Sequence, residues 1–126
     1  MMYGDGFSFR RRARSFVFAG RGMRVLFTQH NAWIHAVFTV GVIIAGFLAK
    51  LQRWEWCAVV LAIMAVLSAE AFNTAIELLC DVASPEIHPT ICKCKDGAAA
   101  GVLICAIASV AIGVIVFGPH LMALVR

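Results

Sequence analysis

The sequence predicts an all-α integral membrane protein with an N-terminal amphipathic surface helix followed by three transmembrane helices. Three observations carry this. Of 126 residues, 62% are hydrophobic and the mean hydropathy is +0.88, more apolar surface than a soluble fold of this size can hide. Three apolar runs, at about 33–49, 54–79 and 97–117, are each long enough to cross or nearly cross a hydrocarbon layer that needs roughly 20 helical residues. Basic residues are unevenly divided between the segments that flank these runs.

The surface helix is expected over about residues 8–27. Phe9, Ala13, Phe16, Gly20, Met23 and Phe27 recur at steps of three and four, while Arg10, Arg11, Arg14, Arg21 and Arg24 fall mostly on the opposite face. Arginine on one face and phenylalanine on the other suit an anionic bilayer surface, with the helix lying in the interface. With that use for the aromatic face beside a membrane span, no nucleic-acid partner is expected.

The first span begins late and is followed by two more, which argues against a cleaved signal peptide. "LAKLQRWEW" then offers a short turn, with Trp54 and Trp56 expected at the membrane interface. After the second span, "DVASPEIHPT" offers a longer loop, in which Ser84 before Pro85 and Glu86 predicts an N-cap with proline at the first helical position. The third span carries no charge between Gly97 and Phe117. No repeat or linker interrupts the chain, so one domain over 1–126 is expected.

Arg10, Arg11, Arg12, Arg14, Arg21 and Arg24 precede the first span and Lys93 and Lys95 follow the second, whereas the other side receives Lys50, Arg53 and Arg126. The positive-inside rule therefore places the N-terminus and the second loop in the cytoplasm. The five cysteines are odd in number and scattered, so no disulfide framework is implied. His88, Cys92 and Cys94 lack the spacing of a zinc site.

The second span contains "SAEAFNTAIELLCD", in which Glu70, Asn73, Glu77 and Asp81 stand at steps of three, four and four. On a helix these residues share one face, with Glu70 about 16 Å from Asp81 along the axis. A carboxylate deep in a bilayer costs on the order of 2.5 kcal/mol or more to insert, and such residues face a bundle interior or an aqueous cavity and mark function. Pairing among these groups or with Lys95 to fix helix packing is one use. Acids opening toward "KCKD" also suit a hard cation such as Mg²⁺ that bridges carboxylates to phosphates, with lysine supplying countercharge.

"EAFNTAIELLCD", "SPEIHP" and "KDGAAAGVL" together resemble the prokaryotic diacylglycerol kinase and undecaprenol kinase family, whose signature is E-x-x-N-[ST]-A-[IV]-E-x-x-x-D. The resemblance covers essentially the whole chain and implies a kinase of the bacterial plasma membrane. Its expected reaction is phosphoryl transfer from MgATP to a membrane lipid alcohol, in a homotrimeric bundle with active sites at subunit boundaries. It implies that Glu70 is the general base that takes the lipid hydroxyl proton, and that Asn73 orients that carboxylate or the transferring phosphoryl group. Glu77 is then the Mg²⁺ ligand and Asp81 a supporting residue for metal or loop. Glu86, Ile87 and His88 match a nucleotide-contacting loop, Lys95 a phosphate ligand and Asp96 its adenosine-side neighbour, with Arg10 a further nucleotide contact.

The chain departs from that family at Gln29, where a metal-binding glutamate is common. An amide oxygen still coordinates Mg²⁺, so weaker metal binding is expected rather than loss of activity. "GAAAG", Gly97 to Gly101, is a small-xxx-small step consistent with trimer packing or room for an acyl chain. "SPEIHP" and "VFGP" look more like the undecaprenol branch, although simple aliphatic faces leave the acceptor open between diacylglycerol and undecaprenol. Two other readings use fewer of these features. One is a small transport or channel subunit with Glu70 and Glu77 on an ion path, and the other is an anchor that uses only the arginine helix.

Overall fold

A computed structural model describes residues 8–126, and the first seven residues of the expected domain lie outside the described residues. The chain forms four helices: α1 (Phe9–Leu26), α2 (His30–Ala49), α3 (Arg53–Ala83) and α4 (Pro89–Val125). All but α1 are long and apolar enough to cross a membrane. The helices outrun the apolar runs that announce them. At about 1.5 Å per residue, α3 and α4 are roughly 46 and 56 Å long, well beyond a hydrocarbon layer of about 30 Å, so their polar ends reach past it.

A tight corner joins α1 to α2. The Thr28 hydroxyl donates to the carbonyl of Val25 at 2.6 Å, and the Trp33 indole N–H reaches back to the carbonyl of Phe27 at 2.8 Å. The Phe27 and Trp33 rings also meet edge to face at 6.1 Å. Leu26 and Ala32, on either side of the corner, are both buried.

At its other end α2 closes on Lys50, which takes the left-handed conformation (φ 54°). Lys50 N–H donates to Phe47 O and Leu51 N–H to Gly46 O, the two bonds of a Schellman closure. Three residues later α3 is under way, with Gln52 N–H donating to Glu55 Oε2 at 2.7 Å and the Trp54 indole N–H to Gln52 Oε1 at 3.0 Å. Trp54 is exposed, as an interfacial residue should be. Trp56 instead turns inward, against Phe47 at 4.9 Å between ring centroids and over Gly46, where the missing side chain makes room for the indole.

The third turn corrects one expectation. Ser84 caps the end of α3 rather than the start of a helix, and its hydroxyl donates to the carbonyl of Glu86. The helix starts one proline later: His88 is the N-cap, its Nδ1 accepting from Thr90 N–H at 3.2 Å, and Pro89 is the first helical residue. Both prolines carry the same local signal, but the chain needs the intervening residues to reverse direction after α3. Near the far end, α4 continues through Pro119, which contributes no N–H to the helix.

The most extensive packing is between α3 and α4; α2 lies against both, and α1 touches α3. The buried apolar cluster of Leu51, Val59 and Val116, flanked by Trp56 and Phe117, sits toward the α2–α3 turn. There Glu55, almost fully buried, meets His120 Nε2 of α4 at 2.9 Å. Midway, the Ser109 hydroxyl donates to the carbonyl of Ala62, tying α4 to α3. Large side chains such as Phe38, Phe47, Leu61 and Val110 remain exposed along the outside, the distribution expected where lipid is the solvent.

Candidate functional site

The buried face of α3 changes character along its length. Val59 and Val66 are apolar, and the next buried positions are Glu70, Asn73 and Thr74. Steps of three and four place these groups on the face that meets α2 and α4. Glu70 is 3% exposed and Asn73 6%, so the stripe does start inside the packed region. Glu77 is half-buried and Asp81 exposed.

Three polar contacts organise the stripe, and each joins a different pair of levels. Glu70 Oε1 lies 3.1 Å from His35 Nε2 of α2. One turn on, Asn73 Nδ2 donates to Glu77 Oε1 at 3.1 Å. The amide thus orients Glu77 rather than Glu70, and its own Oδ1 is buried with no hydrogen-bond partner. At the open end, Lys95 Nζ of α4 meets Asp81 Oδ1 at 2.5 Å. The pairing expected from the sequence, among these groups or with Lys95, is thus present at two levels, Asn73 with Glu77 and Asp81 with Lys95.

The remaining sequence-predicted residues do not close on the stripe. Gln29 is the half-buried N-cap of α2, with no capping bond from its side chain. Arg10 in the first turn of α1, Glu86 and Ile87 in the loop, His88 at the start of α4 and Asp96 beside Lys95 are all exposed. No hydrogen bond or ion pair among the described residues joins their side chains to Glu70, Asn73 or Glu77. This leaves an open end of mixed charge beside a closed, acidic interior.

His35 was not singled out from the sequence. Its signal was available, a titratable residue two positions inside the first apolar run, but its partner lies 35 residues away on another helix. Thr74, also buried beside Asn73, was likewise missed because threonine is unremarkable in an apolar helix.

An apolar groove of about 350 Å³ runs between α2, α3 and α4, with His35 and Val66 at one end and Val59 and Phe117 at the other. Its lining is almost entirely aliphatic and aromatic, with Thr39 and Ser109 the small polar exceptions. It thus leads through the membrane layer to the imidazole that touches Glu70.

The donor set can be tested against a hard cation. Among the described residues no three His, Cys, Asp or Glu side chains gather closely enough to form a complete protein cage. A carboxylate beside an orphaned amide oxygen, Glu77 with Asn73 Oδ1, is instead the partial oxygen set that suits Mg²⁺ shared with phosphates and water. The residues present fit such an ion.

Comparison with known proteins adds an independent line. The model of a family described as prokaryotic diacylglycerol kinase matches residues 17–117. An undecaprenol kinase of Bacillus subtilis is 39% identical over 109 residues, covering 86% of this chain and 89% of that protein. A diacylglycerol kinase of Synechocystis sp. is 35% identical over 112 residues, covering 87% of this chain and 64% of the longer relative.

Proposed function

The chain belongs to the prokaryotic diacylglycerol kinase family and is an ATP-dependent lipid kinase, and from that premise we propose how its residues divide the work. The acceptor is diacylglycerol or undecaprenol. Glu70 is the general base. It is buried on a membrane helix beside an apolar groove, where a lipid alcohol arrives from the bilayer and a nucleotide does not. As the acceptor oxygen bonds to the γ-phosphorus, the O–H proton passes to the Glu70 carboxylate, and the bond between that phosphorus and the ADP oxygen breaks.

Glu77 and Asn73 Oδ1 are the groups that would hold the Mg²⁺ of MgATP, Glu77 lying about 10 Å nearer the open end than Glu70 by seven residues of helix. When bound, that ion neutralises phosphate charge. Asn73 keeps Glu77 aimed through its Nδ2 bond. Lys95 exchanges Asp81 for a phosphate oxygen, which its flexible stem and compact charge allow. Asp81 is the place where Lys95 waits, and Arg10, Glu86, Ile87, His88 and Asp96 border the nucleotide. Gln29 offers a neutral oxygen to the metal.

The nucleotide end faces the cytoplasm, because the arginines of α1 and Lys93 and Lys95 share that side. The helix α1 lies on the membrane surface, its exposed Phe9 and Phe16 entering the lipid. The working unit is a homotrimer, a reading that rests on the resemblance. For the acceptor, the higher identity and fuller coverage of the Bacillus undecaprenol kinase favour the polyprenol.

The observation that carries the reading is the order along one helix face, buried Glu70 followed by Asn73 bonded to Glu77. The test is Glu70→Gln assayed in detergent with both alcohols. Turnover falls at least about 100-fold while MgATP binding persists. An ion-path subunit would instead show no ATP-dependent phosphorylation of either alcohol.

A further inference from the structure

We infer that His35 is a positioning residue for Glu70, the group that fixes the buried carboxylate in the orientation from which it meets the acceptor hydroxyl. The inference rests on the reading of Glu70 as the base and goes beyond it by naming what holds that base.

Glu70 is 3% exposed, so water does little to orient it, and a carboxylate in such a place needs a donor from the protein. Its own helix does not supply the obvious one. Asn73, one turn on, has committed its Nδ2 to Glu77. The side chain that reaches Glu70 comes from α2, with His35 Nε2 3.1 Å from Oε1. With the proton on Nε2, a small turn of the ring brings its N–H onto that oxygen and leaves the second carboxylate oxygen for the acceptor.

The backbone that presents His35 is fixed at several points. Ala32 is fully buried, and Trp33 is bonded through its indole to Phe27. On the following turn, the Thr39 hydroxyl donates to the carbonyl of His35 itself at 2.8 Å. An imidazole so anchored transmits the register of the α1–α2 corner to the carboxylate. It also lines the end of the apolar groove, so the same ring stands where a lipid head would arrive. The requirement is thus for a side chain that is apolar in body and donates at its tip, which histidine meets and phenylalanine does not.

The test compares His35→Ala, His35→Gln and His35→Phe with Glu70→Gln, each as the purified full-length protein in detergent. Each is assayed over a range of MgATP and of short-chain lipid alcohol. His35→Ala and His35→Phe lower kcat about 10-fold to 100-fold and leave the KM for MgATP unchanged. His35→Gln, whose amide N–H keeps a donor near the same point, recovers most of the lost rate. If His35→Ala turns over at the wild-type rate, or if His35→Gln is as slow as His35→Phe, the positioning role is wrong. Should the alanine variant fail to fold, the Gln and Phe pair alone decides. Retained turnover in Glu70→Gln marks a different failure, that of the base itself.

Discussion

Lys95 of α4 and Asp81 of α3 form an ion pair at 2.5 Å across the end of the helical hairpin. Both are substantially exposed, so the pair is screened and easily exchanged, and its removal barely changes stability. The two partners nevertheless differ in function. Lys95→Met should lower kcat/KM for MgATP on the order of 100-fold, since a phosphate charge loses its counterion, whereas Asp81→Asn should change it only a few-fold by releasing lysine from its resting partner. Steady-state kinetics over MgATP concentration separate them, and equal losses would show that Asp81 is needed in the complex itself.

Glu77 and Gln29 should move metal dependence in opposite directions. Glu77→Gln removes the half-buried carboxylate and is expected to raise the Mg²⁺ needed for half-maximal rate about tenfold or more. Gln29→Glu restores a charge at the N-cap of α2 and should lower it. Rates measured against free Mg²⁺ at saturating ATP read both, and an unchanged requirement in Glu77→Gln would take that residue out of the metal's reach.

Gly46 is a packing position. A methyl added there would stand 2.6 Å from Trp56 Cη2, closer than contact allows, and 3.1 Å from a Leu51 methyl, which would have to give way slightly. Gly46→Ala should therefore destabilise by about 1–3 kcal/mol. Thermal inactivation in detergent measures this, and Trp56→Leu in the same chain should recover part of the loss by vacating the space.

His120 is expected to matter to stability without touching chemistry. It lies against Glu55, about 22 Å along α3 from Glu70. His120→Ala leaves a nearly buried carboxylate without its cross-helix partner and should lower the inactivation midpoint by on the order of 5 °C. The initial rate per folded molecule at low temperature should stay unchanged; a fall there would connect the two ends of α3.

Hydropathy made the three long helices legible, because length and apolarity are local properties. The polar stripe was legible for the same reason, since Glu70, Asn73 and Glu77 sit at helical spacing on one element. What stayed hidden was anything settled between elements. Nothing local to "WIHAVF" says that His35 will face Glu70, or that the amide of Asn73 will choose Glu77 over Glu70. Ser84–Pro85 and His88–Pro89 carry rival helix-start signals, and only the geometry of the chain reversal selects the second. Trp56 reads as an interfacial residue until Gly46 on the neighbouring helix is seen to make a seat for it.

The unbroken run of α3 from Arg53 to Ala83 has a consequence for how the enzyme meets bilayers of different thickness. Hydrophobic mismatch is accommodated by tilting a helix or deforming the lipid, and either adjustment carries Glu70 and Glu77 together. The interval between proton acceptor and phosphate end is thus set by backbone geometry and not by the membrane. What varies with lipid composition is the depth at which an alcohol must be presented, so thickness should tune acceptor encounter while leaving the transfer step alone.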